Sequence, residues 1–263
     1  MPWNPETYNQ FKNVRYQPFF DLMKLITEEG LLSAVDIGCG TGEQTNILSQ
    51  NFNAATFLGF DSSSEMLSES KKFEHEKLKF QRLAIEAFAD DATKWDLVFS
   101  NAALQWSDNH NTLFPKLISK LNKSGQFAVQ MPVQNENLLN KILLEMVQEK
   151  PFSDFLHDWK RESPVLSIDE YAQLMFESGL KEIQIIQKVY PIIADDPEQL
   201  FNFISGSSLI PYMERLPKTE QELFVAEYKS RIQKRFKRFP AIYAFKRLLL
   251  YGIKNISHYT KLV

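Results

Sequence analysis

The chain has 263 residues, 44% of them hydrophobic and 24% charged, enough apolar material for one large domain with a packed core. A net charge of −3 leaves no excess of Lys and Arg to meet phosphates, which sets nucleic-acid binding aside. The single cysteine, Cys39, excludes a disulfide framework and a multi-cysteine metal site and suits a reducing cytoplasm; no apolar run nears the ~18 residues of a membrane span, and Met1 opens a polar stretch rather than a secretory leader.

From the N-terminus, Phe19, Leu22, Met23 and Ile26 fall at helical spacing and predict a helix over 18–29. The run Ala34, Val35, Asp36, Ile37 predicts a buried strand, ending in Gly38-Cys39-Gly40-Thr41-Gly42. A helix over 45–50 and a strand over 55–60 follow, the strand stopping at Asp61. Serines at 62–64 ahead of Glu65, Met66 and Leu67 have the composition of an N-cap and open a third helix. Further strands are expected over 78–81 and 95–100, then a helix over 112–121, a turn over 122–125 and a strand over 126–131. Apolar strands alternating with helices imply a parallel sheet covered on both faces.

The second half is mostly helical. A helix over 168–178 is closed by Gly179, a strand over 180–189 follows, and 197–236 is helical with breaks around Gly206 and Pro211. After Pro240, β-branched and aromatic residues predict a last strand over 241–254. These elements make one domain over 1–263, a doubly wound, Rossmann-like α/β fold with a seven-stranded, mostly parallel sheet and helices on both faces. Its core is expected over about 18–132, 166–191 and 240–255, and a helical lid over about 133–165 and 192–239.

The strongest chemical signal is Asp36-x-Gly38-x-Gly40-x-Gly42, between a strand and a helix. Glycines there let the backbone turn tightly and let a ligand approach the main chain. Asp61, closing the next strand, stands where a carboxylate accepts both hydroxyls of an adenosine ribose. A nicotinamide dinucleotide fingerprint, G-x-G-x-x-G, would need glycine at 43 or 45, and the chain has Glu43 and Thr45. Glu43 also places negative charge where a helix N-terminus would receive a pyrophosphate. S-adenosylmethionine (SAM) has no phosphate and carries an ammonium and a sulfonium, so acidic Asp36 and Glu43 suit it.

With these residues the chain resembles the class I SAM-dependent methyltransferases, whose first motif VDIGCGTG matches and whose second matches as GFDSSSEML. The resemblance implies that Asp36, Gly38, Cys39, Gly40 and Gly42 border the methionine part of the cofactor. It implies that Asp61 holds the ribose and that Ser62 and Met66 flank the adenine. The family's Asp-Ala-Glu element reads Ala84-Ile85-Glu86 here, so the adenine-binding Asp is missing, and Glu86 or backbone groups would take its place. Asn101 falls where the family lines the methionine end of SAM, whose product is S-adenosylhomocysteine.

A closer resemblance, to the trans-aconitate methyltransferase family, rests on Trp3, Asn4, Pro5 and Tyr8, on Asn101-Ala-Ala-Leu-Gln-Trp106, and on Gln130-Met131-Pro132. Related Leu-Gln-Trp and Leu-His-Trp elements occur in malonyl carrier-protein and juvenile hormone acid methyltransferases. All three families methylate a carboxylate oxygen, which implies a carboxylic acid substrate. Tyr8, Leu104, Gln105, Trp106, Ile210 and Tyr212 are the expected substrate-binding residues, with Gln105 donating to the carboxylate and Trp106 walling the pocket. A carboxylate is already ionised at neutral pH, so no acid–base residue is needed. The family's lid carries an Arg where this chain has Ile210, which points to a less charged, more apolar acid. Two alternatives stay open, methylation of another acid such as a malonyl carrier protein, and cofactor binding without catalysis.

The run at 229–247 is rich in Lys and Arg and reads either as a dock for an acidic carrier protein or as a solvated helix face. His75, His110, His157 and His258 are scattered without metal-ligand spacing, so no metal is expected. Cys39, between two glycines, reads as a small packing residue rather than a nucleophile.

Overall fold

The computed structural model of the chain describes residues 12–255. Helix α1 (Lys12–Met23) leads into β1 (Ser33–Ile37), α2 (Glu43–Asn51), β2 (Thr56–Asp61), α3 (Ser64–Ser70) and β3 (Leu78–Arg82). Then come α4 (Ile85–Asp90), β4 (Trp95–Asn101), α5 (His110–Ser119) and β5 (Leu121–Pro132). The rest comprises α6 (Leu138–Val147), α7 (Phe152–Phe155), α8 (Ile168–Glu177), β6 (Leu180–Ala194), α9 (Pro197–Ser205), α10 (Ile210–Met213), α11 (Lys218–Arg235) and β7 (Ala241–Lys254). The seven strands form one sheet in the order β3-β2-β1-β4-β5-β7-β6. Strands β1 to β5 pair in parallel, and β7 runs antiparallel to β5. This is the doubly wound, mostly parallel sheet the sequence predicts. Consecutive residues of β1 and β4 are buried, so both sheet faces are covered there, as a parallel sheet requires.

The chain divides into two compact units. One comprises 18–132, 164–188 and 247–255, and its core joins Phe19, Leu22, Leu48, Phe57, Leu97 and Phe99. The other comprises 12–17, 133–163 and 189–246 and is mostly helical. In this second unit Phe224, Tyr228 and Ile232 present one buried stripe of α11, in a cluster with Leu139, Phe152 and Phe201. No helix among the described residues is long and apolar enough to cross a membrane.

Several boundaries differ from expectation for identifiable reasons. The first helix ends at Met23, not 29, and i→i+3 bonds carry the chain only as far as Ile26. At Thr27 the Gln126 side chain of β5 takes both backbone groups, accepting from the N–H and donating to the carbonyl, each at 2.8 Å. The expected turn at 122–125 is an irregularity inside β5: the register slips between Trp95↔Leu121 and Leu97↔Gln126, and Ser124 has φ +62°. Strand β6 runs on to Ala194, five residues past its expected end at 189. Pro211 lies in the first turn of α10 rather than breaking a helix, because a missing N–H costs nothing there. Helix α4 is not evident in the sequence, since its N-cap is Ala84, which has no capping side chain.

Candidate functional site

In an open parallel sheet, ligands bind outside the carboxyl ends of the strands where the strand order reverses, here between β1 and β4. The glycine-rich turn leaves β1 at that point. Gly38 and Gly42 have φ of +71° and +74°, the left-handed region in which a Cβ is strained. A Cβ on Gly38 would lie 2.2 Å from the Ala103 Cβ, and one on Gly42 would lie 2.6 Å from the Phe80 ring. The first of these approaches packs the turn directly against the segment after β4.

Three hydrogen bonds fix the turn. The N–H groups of Gly38 and Cys39 donate to the Phe60 carbonyl at 2.8 and 2.9 Å. The Gly40 N–H donates to Asp61 Oδ2 at 3.0 Å. Asp61 Oδ1 accepts from Ser63 N–H at 2.9 Å, so one carboxylate ties the end of β2 to both the turn and the start of α3. Each of its oxygens keeps a further lone pair for a hydroxyl donor. Ser63 caps α3, accepting from Met66 N–H, and Met66 Cε would lie 3.4 Å from a Cβ on Gly40. Ser62 is exposed, and its carbonyl accepts from Arg82 Nε.

Asp36 sits beneath the turn, 3% exposed, with Oδ2 accepting from Thr45 Oγ1 at 2.6 Å. Burial pushes its carboxyl up to about 7; the Thr45 hydrogen bond opposes the rise and the Asp61 charge adds to it. Asp36 thus clamps β1 to α2 from below. Burial, followed by the charges of Asp36 and Asp61, raises the Cys39 thiol well above its ordinary value and keeps it protonated. Ala84, Ile85 and Glu86 open α4; the preceding Leu83 N–H donates to the Asp61 carbonyl, and the Glu86 side chain is exposed.

At the end of β4, Asn101 donates to Gln44 Oε1 at 2.9 Å, and its own Oδ1 is buried with no hydrogen-bond partner among the described residues. Ala102 has φ +57°, a strained value for a residue with a Cβ, and its N–H donates to the Gln130 carbonyl. Leu104–Trp106 then forms one 3₁₀ turn. Leu104 is fully buried, Gln105 is 5% exposed and Trp106 is 42% exposed. Gln105 Nε2 donates to the Ala102 carbonyl at 2.7 Å, and its Oε1 is buried with no partner among the described residues. The expected donor role therefore falls on an amide with one N–H already engaged.

His110 holds this turn from behind. Its Nε2 lies 2.9 Å from the Leu104 carbonyl, which can only accept, so Nε2 carries the proton. Nδ1 is then an acceptor for the Tyr171 hydroxyl at 2.6 Å, and the same hydroxyl accepts from Leu166 N–H. Burial lowers the His110 pKa and favours the neutral ring this arrangement needs.

Arg247 is 7% exposed and donates from Nη1 to Gln130 Oε1 at 3.3 Å, while Gln130 Nε2 is buried with no acceptor among the described residues. The sequence reading did not foresee the contacts of Arg247 with Gln130, of His110 with Tyr171 or of Gln44 with Asn101. A periodic pattern does not mark polar groups paired across strands.

The other expected substrate residues lie in the helical unit. Ile210 begins α10, half-buried. Tyr212 is a core residue, stacked on Phe224 at 5.7 Å and edge-on to Trp159 at 5.2 Å, with its oxygen accepting from Arg161 N–H. Trp3, Asn4, Pro5, Tyr8 and His258 lie outside the described residues. In the basic run at 229–247, Lys229 pairs with Glu198 and Arg231 with Glu149 and Glu227, while Lys234, Arg235, Lys237 and Arg238 are exposed.

Among known proteins, a family model described as a methyltransferase domain matches residues 29–194. The chain is 36% identical over 255 residues to a trans-aconitate 2-methyltransferase of Deinococcus radiodurans, covering 95% of this chain and 97% of that protein. It is 29% identical over 240 residues to one from Delftia acidovorans, covering 88% and 90%. Among solved structures, a Bacillus protein named YcgJ matches with a TM-score of 0.61 at 16% identity, covering 92% of this chain and 100% of that one. Phosphoethanolamine N-methyltransferase 2 of Haemonchus contortus, solved with S-adenosyl-L-methionine, matches with a TM-score of 0.56 at 14% identity, covering 91% and 52%. These two likenesses bear on the fold.

Proposed function

This chain belongs to the methyltransferase domain family, and from that membership we propose that it transfers the methyl group of SAM to a carboxylate oxygen of a small organic acid of the trans-aconitate type. The observation that carries the substrate class is the 36% identity, over 95% of the chain, to a trans-aconitate 2-methyltransferase.

The residues present fit SAM. Asp61 has lone pairs for the two ribose hydroxyls, and Met66 and Ser62 stand beside it for the adenine. The buried Oδ1 of Asn101, without a partner among the described residues, is an acceptor that the ammonium of the methionine moiety would satisfy. Ala84, Ile85 and Glu86 offer the start of α4 in place of the missing adenine Asp. When bound, SAM would supply an electrophilic methyl group for the carboxylate oxygen, with S-adenosylhomocysteine as the leaving group and a methyl ester as the product.

No proton moves in that step, so no side chain has to titrate. The task of this chain is alignment, with the reacting atoms held roughly 3–3.5 Å apart in a dry site. Leu104, Gln105 and Trp106 stand on the segment that follows β4 and are the positioning residues. His110 fixes their backbone. The half-buried Ile210, at the position where the resemblance implies an Arg, favours a second reading in which the acid is more apolar.

Radiolabelled methyl transfer tests the proposal, with trans-aconitate, smaller dicarboxylates, apolar monocarboxylates and malonyl carrier protein as acceptors. Base-labile methyl esters formed from the polycarboxylates are the expected result. Transfer to none of them, with SAM bound, would leave a non-catalytic binding protein. Transfer only to apolar acids would replace the trans-aconitate reading by the second one.

A further inference from the structure

We propose that His110 positions the Leu104–Trp106 turn for methyl transfer only as the neutral ring, so that acid shuts the enzyme although no proton moves in the reaction; this deepens the carboxyl-methylation reading above and rests on it. The ring stands between two partners. Nε2 donates to the Leu104 carbonyl at 2.9 Å, and Nδ1 accepts from the Tyr171 hydroxyl at 2.6 Å. The same hydroxyl accepts from Leu166 N–H at 3.3 Å. His110 is 1% exposed and Tyr171 0%, so bulk water cannot stand in for a lost partner. Phe114 packs on both rings, with centroids at 4.8 and 5.1 Å.

The Leu104 carbonyl gives the ring its leverage. It also accepts from Ser107 N–H at 3.0 Å, which closes the turn carrying Gln105 and Trp106. Gln105 in turn donates to the Ala102 carbonyl. Ala103, between these residues, is the one against which Gly38 packs, a Cβ on Gly38 lying 2.2 Å from the Ala103 Cβ. A displaced Leu104 carbonyl therefore disturbs the substrate-side residues and their seat on the glycine turn together.

Protonation breaks this arrangement at one end. Nδ1 holds the only free lone pair of the ring, so an added proton goes there. Nδ1–H and the Tyr171 O–H are then two donors facing each other across 2.6 Å. The hydroxyl can rotate to accept, but its own hydrogen then needs a new acceptor in a buried site beside Phe114. The bond from Nε2 to Leu104 strengthens in the imidazolium while the one at Nδ1 fails. The ring thus leaves Tyr171 and takes the Leu104 carbonyl with it. A misplacement of about 1 Å is enough to slow a positioned reaction by about 100-fold.

The charges acting on the pair come from Asp108, ahead of α5, and from Glu170, on α8. Burial lowers the His110 pKa and outweighs the Leu104 and Ser107 carbonyls and Asp108, which favour the imidazolium. Burial, together with the Glu170 charge, keeps the Tyr171 hydroxyl protonated. A lowered value keeps the ring neutral below 6.5, so activity is lost only as pH falls through that lower value. Asp36, pushed up to about 7 by burial, lies beneath the glycine turn, and its titration would register in cofactor affinity instead.

The test uses the full-length enzyme and the variants His110→Gln and His110→Ala. Between pH 7.5 and 5, kcat is measured with SAM and trans-aconitate saturating, and S-adenosylhomocysteine affinity by calorimetry. Over the same range, magnetic resonance follows the isotope-labelled histidine ring nitrogens and the Trp106 indole, the latter identified with Trp106→Phe. Expected for the wild type is a kcat at least fivefold lower at pH 5. Its midpoint should lie below 6.5 and match those at which His110 Nδ1 takes a proton and Trp106 shifts. S-adenosylhomocysteine affinity should not follow that midpoint. The amide of His110→Gln offers Leu104 a donor and Tyr171 an acceptor and does not titrate. That variant should be slower than the wild type at pH 7.5, without the acid limb, and His110→Ala slower still. A wild-type kcat level down to pH 5, an acid limb that persists in His110→Gln, or a Trp106 resonance indifferent to His110 overturns the proposal. The first and last of these need no variant to fold. If no acid is methylated at any pH yet Trp106 follows His110, the carboxyl-methylation reading fails and the coupling of ring to turn stands.

Discussion

Gly38→Ala tests the packing of the turn against the segment after β4. The added Cβ would sit 2.2 Å from the Ala103 Cβ, against roughly 3.5–4.0 Å for a comfortable carbon–carbon contact. One of the two backbones must therefore move by about 1.5 Å. Overpacking of this kind costs about 1–3 kcal/mol, and a Cβ at φ +71° adds about 1–2 kcal/mol. A total loss of about 2–5 kcal/mol lowers the melting temperature by about 5–15 °C for a chain of this size. Ala103→Gly removes the opposing methyl, so the double variant should regain the overpacking share and keep only the strain. Thermal denaturation followed by circular dichroism on all four proteins gives a coupling of about 1–3 kcal/mol. Calorimetry with S-adenosylhomocysteine should show the affinity lost in Gly38→Ala partly restored in the double variant. Strict additivity of the two substitutions would refute the contact.

Other residues give independent checks. Burial raises the Asp36 carboxyl from 3.8 to about 7, so between those pH values the folded chain keeps a proton the unfolded chain has released, and stability falls as pH rises. Asp36→Asn cannot titrate and should gain on the wild type by up to about 1.4 kcal/mol per pH unit across that window, a ceiling of about 4 kcal/mol. Denaturation midpoints at pH 4.5 and 7.5 measure this, and parallel curves for the two proteins would contradict it. His110 has the opposite sign: its lowered pKa means the unfolded chain binds protons the folded chain refuses, so its contribution is lost as pH drops below 6.5. Tyr171→Phe leaves His110 Nδ1 and Leu166 N–H without their partner and should cost about 1–3 kcal/mol, read by urea denaturation. Asp61→Asn replaces an acceptor by a donor at the ribose position and should weaken SAM binding at least tenfold by calorimetry; unchanged affinity would remove Asp61 from the site.

The glycine turn and Asp61, the candidate cofactor residues, were legible in the sequence because their determinants are local. Alternating apolar strands and helices fix a parallel sheet, and a glycine run after the first strand places the turn at its carboxyl end. Helix α3 was equally legible from its serines. Helix α4 was not, because Ala84 has no capping side chain to mark it. The first helix ended early because Gln126, 99 residues away, claims the Thr27 backbone, and a helical period carries no trace of such a competitor.

By itself the sequence determined the order of the strands and most of the helices, the doubly wound sheet, the tight glycine turn and the Asp that closes β2. These follow from side-chain period and from which residues tolerate positive φ, properties of a few adjacent positions. The tertiary structure decided which distant polar groups face one another. Arg247 reaches Gln130 across 117 residues only because β7 enters the sheet antiparallel beside β5. His110 meets Tyr171 across 61 residues because α5 packs near α8. A buried polar group is stable only with its partner, and strand order, which no local pattern encodes, supplies that partner.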